Sequence, residues 1–215
     1  RPRQARSIPR GRAGAAIPTG SKTAPTAGCV FPTIRCRWNV AAAATAAGAD
    51  AGSLISIRPI TDADWGAIWG VLEPVFRAGE TYAYPINITK DQARAAWVDQ
   101  PAATFVAEDA DLGIVGTYML KANQPGRGAH VCNCGYVVSE AARGQGVASA
   151  MCDHSQDRAR EMGFRAMQYN LVVATNEGAV RLWKSKGFDI IGTLPGAFDH
   201  PRLGYVDAHV MYKTL

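Results

Sequence analysis

Residues 137–148 read Val-Val-Ser-Glu-Ala-Ala-Arg-Gly-Gln-Gly-Val-Ala, and no other stretch constrains this chain so tightly. The preceding run, 130–139, predicts a strand. Residues 146–162 predict a helix with small and apolar residues along one side and Gly163 just past its end. The turn between them carries Gly144 and Gly146. Glycine at these points lets backbone N–H groups approach a ligand with no Cβ in the way. Those amides and the positive end of the helix make an anion site. Arg143 adds a charge, and a pyrophosphate fits the combination. No Gly-Lys-Ser/Thr follows, so this is not a Walker loop. A late position in a mixed-order sheet also separates it from a dinucleotide fingerprint. Taken alone, the motif describes equally well a glycine turn that merely caps a helix.

The surrounding pattern gives the motif a body. Leu54, Ile55 and Ile57 open a short strand. Thr61 reads as an N-cap with Asp64 three residues on, and Trp65, Ile68, Trp69, Leu72, Val75 and Phe76 follow helical spacing, with Pro74 loosening the last turn. Thr81-Tyr82-Ala83-Tyr84-Pro85 is a loop. Thr89 and Gln92 form a capping box that opens a helix through Trp97. Strands are expected at 104–107 and 114–120, across the acidic turn 108–111, with a further turn at 124–128. After the glycine motif come a strand at 166–173, a helix at 177–186 ended by Gly187, and strands at 188–193 and 206–212. The order is β-α-α-β-β-β-α-β-α-β-β, without an internal repeat.

Charge divides the 215 residues sharply. Residues 1–52 hold eight Lys/Arg against one acid, Asp50, for +7, while the rest hold fifteen bases against seventeen acids, for −2. The overall +5 therefore says nothing about the body. The first 52 residues mix Arg, Pro, Gly, Ser and Thr and end in an alanine-rich tract; their few large apolar side chains follow no period. A disordered basic extension at 1–52 ahead of a folded domain at 54–215 is the expectation. No stretch approaches the ~18 apolar residues of a membrane helix. Five cysteines without a disulfide-framework spacing suggest a reducing, cytoplasmic setting. His130, Cys132 and Cys134 share one face of a strand, but strand-spaced ligands seldom close a tetrahedral site, so no metal is expected.

A second motif follows the first by about thirty residues: Asn176, then Ala179-x-x-Leu182-x-x-x-x-Gly187-Phe188. The pair, in this order, resembles the GCN5-related N-acetyltransferases (GNAT), whose acetyl-CoA signature (Arg/Gln)-x-x-Gly-x-(Gly/Ala) is matched by Arg143 to Ala148. The resemblance covers the body and none of the first 52 residues. His130-Val131-Cys132-Asn133, Gln168-Tyr169-Asn170, Ala174-Thr175-Asn176, Leu182-Trp183-Lys184-Ser185 and Gly192-Thr193-Leu194-Pro195 are further similar to the yeast-type branch that acetylates proline analogues such as azetidine-2-carboxylate.

The resemblance implies an α/β (α+β) three-layer fold, a central mixed, mostly antiparallel sheet flanked by helices. It implies acetyl-CoA as co-substrate, with Val137 and Val138 offering main-chain bonds to its extended arm. Arg143, Gly144, Gln145, Gly146, Val147 and Ala148 would hold its pyrophosphate, with Asn176 and Trp183 beside it. Asn133, Asn170 and Asn176 would line the catalytic site, and Tyr82, Tyr84 and Asn133 would wall the acceptor. The implied reaction is direct attack of an amine on the thioester, helped by positioning and by donors to the developing oxyanion. Many relatives carry a Tyr as acid where this chain has Trp183, and an indole is no practical acid; Tyr169 or water would serve instead. His200 and His209 flank the final hairpin and stand behind the asparagines as substrate contacts, and His154 reads as a surface or packed residue. The expected acceptor is an amino acid or proline-like imino acid, with other small amines or antibiotics as the alternative. A non-catalytic acyl-CoA-binding module is the rival class. No nucleic-acid or membrane partner is expected, and a homodimer is compatible with the fold.

Overall fold

A computed structural model describes residues 55–215. The extension expected at 1–52 and the strand position of Leu54 lie outside them. Seven strands form one sheet in the order β1-β2-β3-β4-β5-β7-β6. They are β1 (Ser56–Pro59), β2 (Ala103–Asp109), β3 (Gly113–Ala122), β4 (Val131–Val138), β5 (Ala166–Val173), β6 (Asp189–His200) and β7 (Gly204–Thr214). All neighbours pair antiparallel except β4 and β5. The helices are α1 (Trp65–Ala78), α2 (Lys90–Arg94, continued by a π-turn through Asp99), α3 (Val147–Glu161) and α4 (Glu177–Ser185).

Strand alternation sorts the core into two faces. Phe105, Tyr118, Leu120, Cys132 and Cys134 pack with Val147, Met151 and Cys152 of α3 and Trp183 of α4. Val106, Met119 and Val137, the intervening positions, pack with Ile68, Leu72 and Phe76 of α1 and with Trp97. The result is the three-layer arrangement, helices on both sides of one mixed sheet. Thr61 precedes a 3-10 turn at Asp62–Asp64 rather than α1 itself, with its N and Oγ1 donating to Asp64 Oδ2 at 2.7 and 2.9 Å, while the capping box at Thr89 is made as read. Thr89 Oγ1 accepts from Gln92 N at 3.2 Å, and Gln92 Oε1 accepts from Thr89 N at 3.0 Å. Buried Trp97 donates its indole N–H to Thr117 Oγ1 at 3.1 Å, so the large ring enters the core with its polar atom satisfied.

Two boundaries differ from the sequence expectation. Helix α1 continues through Pro74 to Ala78 and stops at Gly79, whose φ of +64° is left-handed. The last hairpin is longer than expected: β6 runs to His200, past Pro195 and Gly196. Proline and glycine normally end a strand, but β6 is an edge strand, where a missing N–H breaks no ladder bond. Register shifts against β7 at Ile190/Gly192 and Leu194/Phe198 absorb the irregularity. The extension carries the turn at 201–203 out to the functional cleft.

Candidate active site

Strands β4 and β5 pair in parallel only at Val131↔Ala166 and Cys132↔Met167. Both strands continue, to Val138 and Val173, but the ladder does not, so they splay. A shift in the β5–β7 register between Tyr169 and Val172 bends β5 at the same level. A cavity of about 1070 Å³ opens in the gap. One wall therefore offers β4 main-chain groups that no neighbouring strand uses.

The glycine corner closes one end. Gly144 and Gly146 have φ of +77° and +80°, and a Cβ on either would point into open space. Backbone conformation, not crowding, is what requires glycine here. Gly146 is the N-cap of α3 and no side chain caps that helix, which leaves first-turn N–H groups for a ligand. Arg143, Gly144 and Ala148 line the cavity, and Arg143 has no ion-pair partner among the described residues. These features fit a diphosphate with an extended arm along β4. Gln145, Gly146 and Val147 do not line the cavity with their side chains. Gln145 Nε2 donates to Ala141 O at 3.1 Å across the turn, and Val147 is buried in the core.

The three asparagines meet in the cavity wall. Asn133 Nδ2 donates to Gln168 O at 2.9 Å, bridging β4 and β5 just past their last paired residues and leaving Oδ1 as an acceptor. Asn170 is tied at both ends: Nδ2 donates to Asn123 Oδ1 at 2.7 Å, and Oδ1 accepts from Gln168 Nε2 at 2.8 Å. Asn176 caps α4, its Oδ1 accepting from Ala179 N at 3.3 Å, which leaves Nδ2 as a donor. Val137, Val138 and Trp183 also line the cavity.

Tyr82 and Tyr84 stand on the opposite wall, their rings stacked 6.0 Å apart and resting on Phe76. Tyr82 donates its hydroxyl to Tyr136 O of β4 at 2.9 Å. Gly135 makes room for it: a Cβ there would lie 3.1 Å from the Tyr82 hydroxyl and 3.2 Å from Trp97.

Tyr169 is buried, stacked on Phe188 with ring centroids 4.4 Å apart. Its hydroxyl lies 3.1 Å from that of Tyr136, which in turn meets Ser155 Oγ at 2.6 Å. Burial pushes both phenols well above their ordinary range. Trp183 packs over both tyrosines, with centroids 4.9 and 5.2 Å away. Burial likewise pushes the Cys132 thiol up to about 12 and raises Cys134 well above its ordinary range, so neither is a ready nucleophile or ligand. No cluster of His, Cys, Asp and Glu suited to a metal occurs among the described residues. His154 packs beneath the sheet, its Nδ1 2.6 Å from the hydroxyl of Tyr118.

Sequence reasoning missed Glu80 and Arg202 and ranked His200 low, yet all three line the cavity. Arg202, on the β6–β7 turn, pairs with Glu80, just after α1, at 2.7 Å. His200 Nδ1 accepts from Arg202 N at 3.2 Å. His209 is instead held at Thr193 Oγ1, 2.9 Å away, and does not line the cavity. No local pattern signals Glu80 or Arg202, because only the long hairpin brings them together.

Comparisons with known proteins bear on the family and the fold. The family model described as Acetyltransferase (GNAT) family matches residues 57–188. The chain is 30% identical over 151 residues to the N-acetyltransferase aca1 of Schizosaccharomyces pombe, covering 61% of this chain and 71% of that protein. It is 47% identical to a GCN5-related N-acetyltransferase from Kribbella flavida of solved structure, with a TM-score of 0.71, covering 75% of this chain and 98% of that one. A phosphinothricin acetyltransferase from Sinorhizobium meliloti, solved with acetyl-CoA, shares the fold at 17% identity and a TM-score of 0.67, covering 75% of this chain and 88% of that one.

Proposed function

The chain belongs to the acetyltransferase (GNAT) family, and from that premise we propose that it acetylates the amine of a small metabolite, an amino acid or a proline-like imino acid. It is an N-acetyltransferase, with acetyl-CoA as co-substrate. One observation carries the reading: the β4–β5 gap, the glycine corner and three asparagines share a single cavity. The neutral amine nitrogen bonds to the thioester carbonyl carbon, the C–S bond breaks, the coenzyme leaves as thiolate, and the proton shed by the nitrogen passes to water.

In this reading the main chain of β4 holds the extended arm and the amides after Gly144 hold the diphosphate. The Nδ2 of Asn176, which has no partner among the described residues, suits a developing oxyanion, and Oδ1 of Asn133 suits an acceptor N–H. Trp183 cannot protonate the leaving sulfur, and the buried Tyr169 hydroxyl is engaged with Tyr136. A thiol of ordinary pKa about 8.5 is a tolerable leaving group, so solvent suffices to supply the proton. Membership of the proline-analogue branch is part of the proposal, supported by the motifs around Asn133, Asn170 and Asn176.

Three buried free thiols, Cys132, Cys134 and Cys152, fit a cytoplasmic setting, and no described helix is long and apolar enough to cross a membrane. A homodimer belongs to the same reading, with exposed Ile191, Leu194 and Tyr205 on β6 and β7 as candidate contacts; sedimentation equilibrium measures it. The central test is an acceptor panel followed by free-thiol release. Turnover with azetidine-2-carboxylate or proline-like imino acids is expected. Turnover confined to aminoglycosides or polyamines would replace the acceptor assignment.

A further inference from the structure

The cavity mouth holds an ion pair that the chemistry above does not use. Glu80 is the one carboxylate among the lining residues, and it is already joined to Arg202. The Arg202 side chain is 74% exposed, so a ligand can reach it. Beside it His200 is 6% exposed. Its Nδ1 accepts the Arg202 amide proton, which leaves the proton of a neutral ring on Nε2, and Nε2 has no partner among the described residues. The mouth thus presents a guanidinium fork and an imidazole N–H, with a protein carboxylate in residence.

We propose that Arg202 and His200 form the acceptor-carboxylate subsite, and that Glu80 occupies it until an α-carboxylate displaces it. This rests on the amino- or imino-acid reading and deepens it by naming the residues that select for the acid. Exchanging one carboxylate for another on an exposed guanidinium costs little desolvation, and a two-pronged Arg–carboxylate contact orients the acceptor as well as holding it. A polycationic amine, by contrast, meets both Arg143 and Arg202 in the same cavity.

The test uses the full chain with azetidine-2-carboxylate and its carboxamide, comparing wild type with Arg202→Gln and His200→Asn. Gln removes the charge on an exposed turn. Asn can keep the acceptor for the Arg202 amide while deleting the Nε2 donor. Wild type is expected to prefer the acid. Arg202→Gln raises KM for the acid about tenfold, leaves kcat within about twofold, and abolishes the preference over the amide. His200→Asn gives a smaller rise in the same KM. Equal use of acid and amide by wild type overturns the proposal while the amine-acetylation reading stands, as does an acid preference that survives Arg202→Gln. A rise confined to the KM for acetyl-CoA assigns Arg202 to the coenzyme and overturns it too. Failure to acetylate any amino or imino acid removes the acceptor reading and this subsite together.

Discussion

Gly146 holds φ at +80°, where an L-residue with a β-branched side chain costs about 1–2 kcal/mol. Gly146→Val is therefore expected to turn the α3 amides away and to weaken acetyl-CoA binding at least about tenfold by calorimetry, in a protein that still folds. Unchanged affinity would remove the diphosphate from this corner. Asn176 offers a sharper separation of roles, since its Oδ1 caps α4 while Nδ2 has no partner among the described residues. Asn176→Asp keeps the cap and removes the donor. Its expected signature is a kcat reduced about 10²-fold with a melting temperature near wild type, the size of effect seen when one oxyanion donor is deleted. His154 gives a pH dependence with a defined sign. Burial, then nearby Arg158, lower its pKa below the usual 6.5. Its contribution to stability is full above 6.5 and is lost as pH falls through the folded-state value. Urea midpoints falling from pH 7 to 5, with a shallower fall in His154→Gln, are the expected result.

At the scale of elements, the decisive event is the parting of β4 from β5. Two pairs start the parallel ladder and Asn133 spans the first residue of the gap. On the α1 face of β4, the Tyr82 hydroxyl holds the 81–85 loop against the Tyr136 carbonyl, in the space left by Gly135. Gly135→Ala introduces contacts of 3.1–3.3 Å with Tyr82, Trp97 and Met119, tighter than most packed-core contacts, so these side chains must shift by a few tenths of an ångström. A loss of about 1–3 kcal/mol in chemical denaturation is expected, with a raised acceptor KM as the loop lifts. Tyr82→Phe keeps the ring stacking and loses only the hydroxyl bond, so its cost should lie near 1 kcal/mol. The loop and its tyrosines were legible between two helices, but both rings are part-buried against the core rather than exposed; their anchor on β4 was not legible, because a glycine in a strand does not announce which ring will lie over it.

For the whole molecule, the excess basic charge and the family match lie in different parts of the chain. The family match at 57–188 lies within the part of the sequence that carries a net −2. Removing residues 1–52 is accordingly expected to leave kcat/KM for both substrates within about twofold and to lower the pI, since those residues hold all of the excess basic charge. A large kinetic loss on truncation would make the basic segment part of the enzyme. The final hairpin matters at the same scale. Read locally, Pro195 and Gly196 end a strand near residue 193; in the sheet, β6 lies on an edge and tolerates both. The seven residues thereby added to the strand lead the chain to Arg202 and its pairing with Glu80.

What the sequence determined by itself is what depends on near neighbours. The capping box at Thr89 and Gln92, the left-handed glycines at 144 and 146, and the helix they open follow from backbone conformation and hydrogen bonds a few residues apart. So does the order of strands and helices, which follows from their hydrophobic periods. Only the tertiary structure decided how far β4 and β5 stay paired, which end of each asparagine remains available, and that Glu80 and Arg202 face each other at the cavity mouth. Those outcomes depend on strand register and on packing between segments remote in sequence, and no local pattern encodes the distance between two side chains that only a finished sheet brings together.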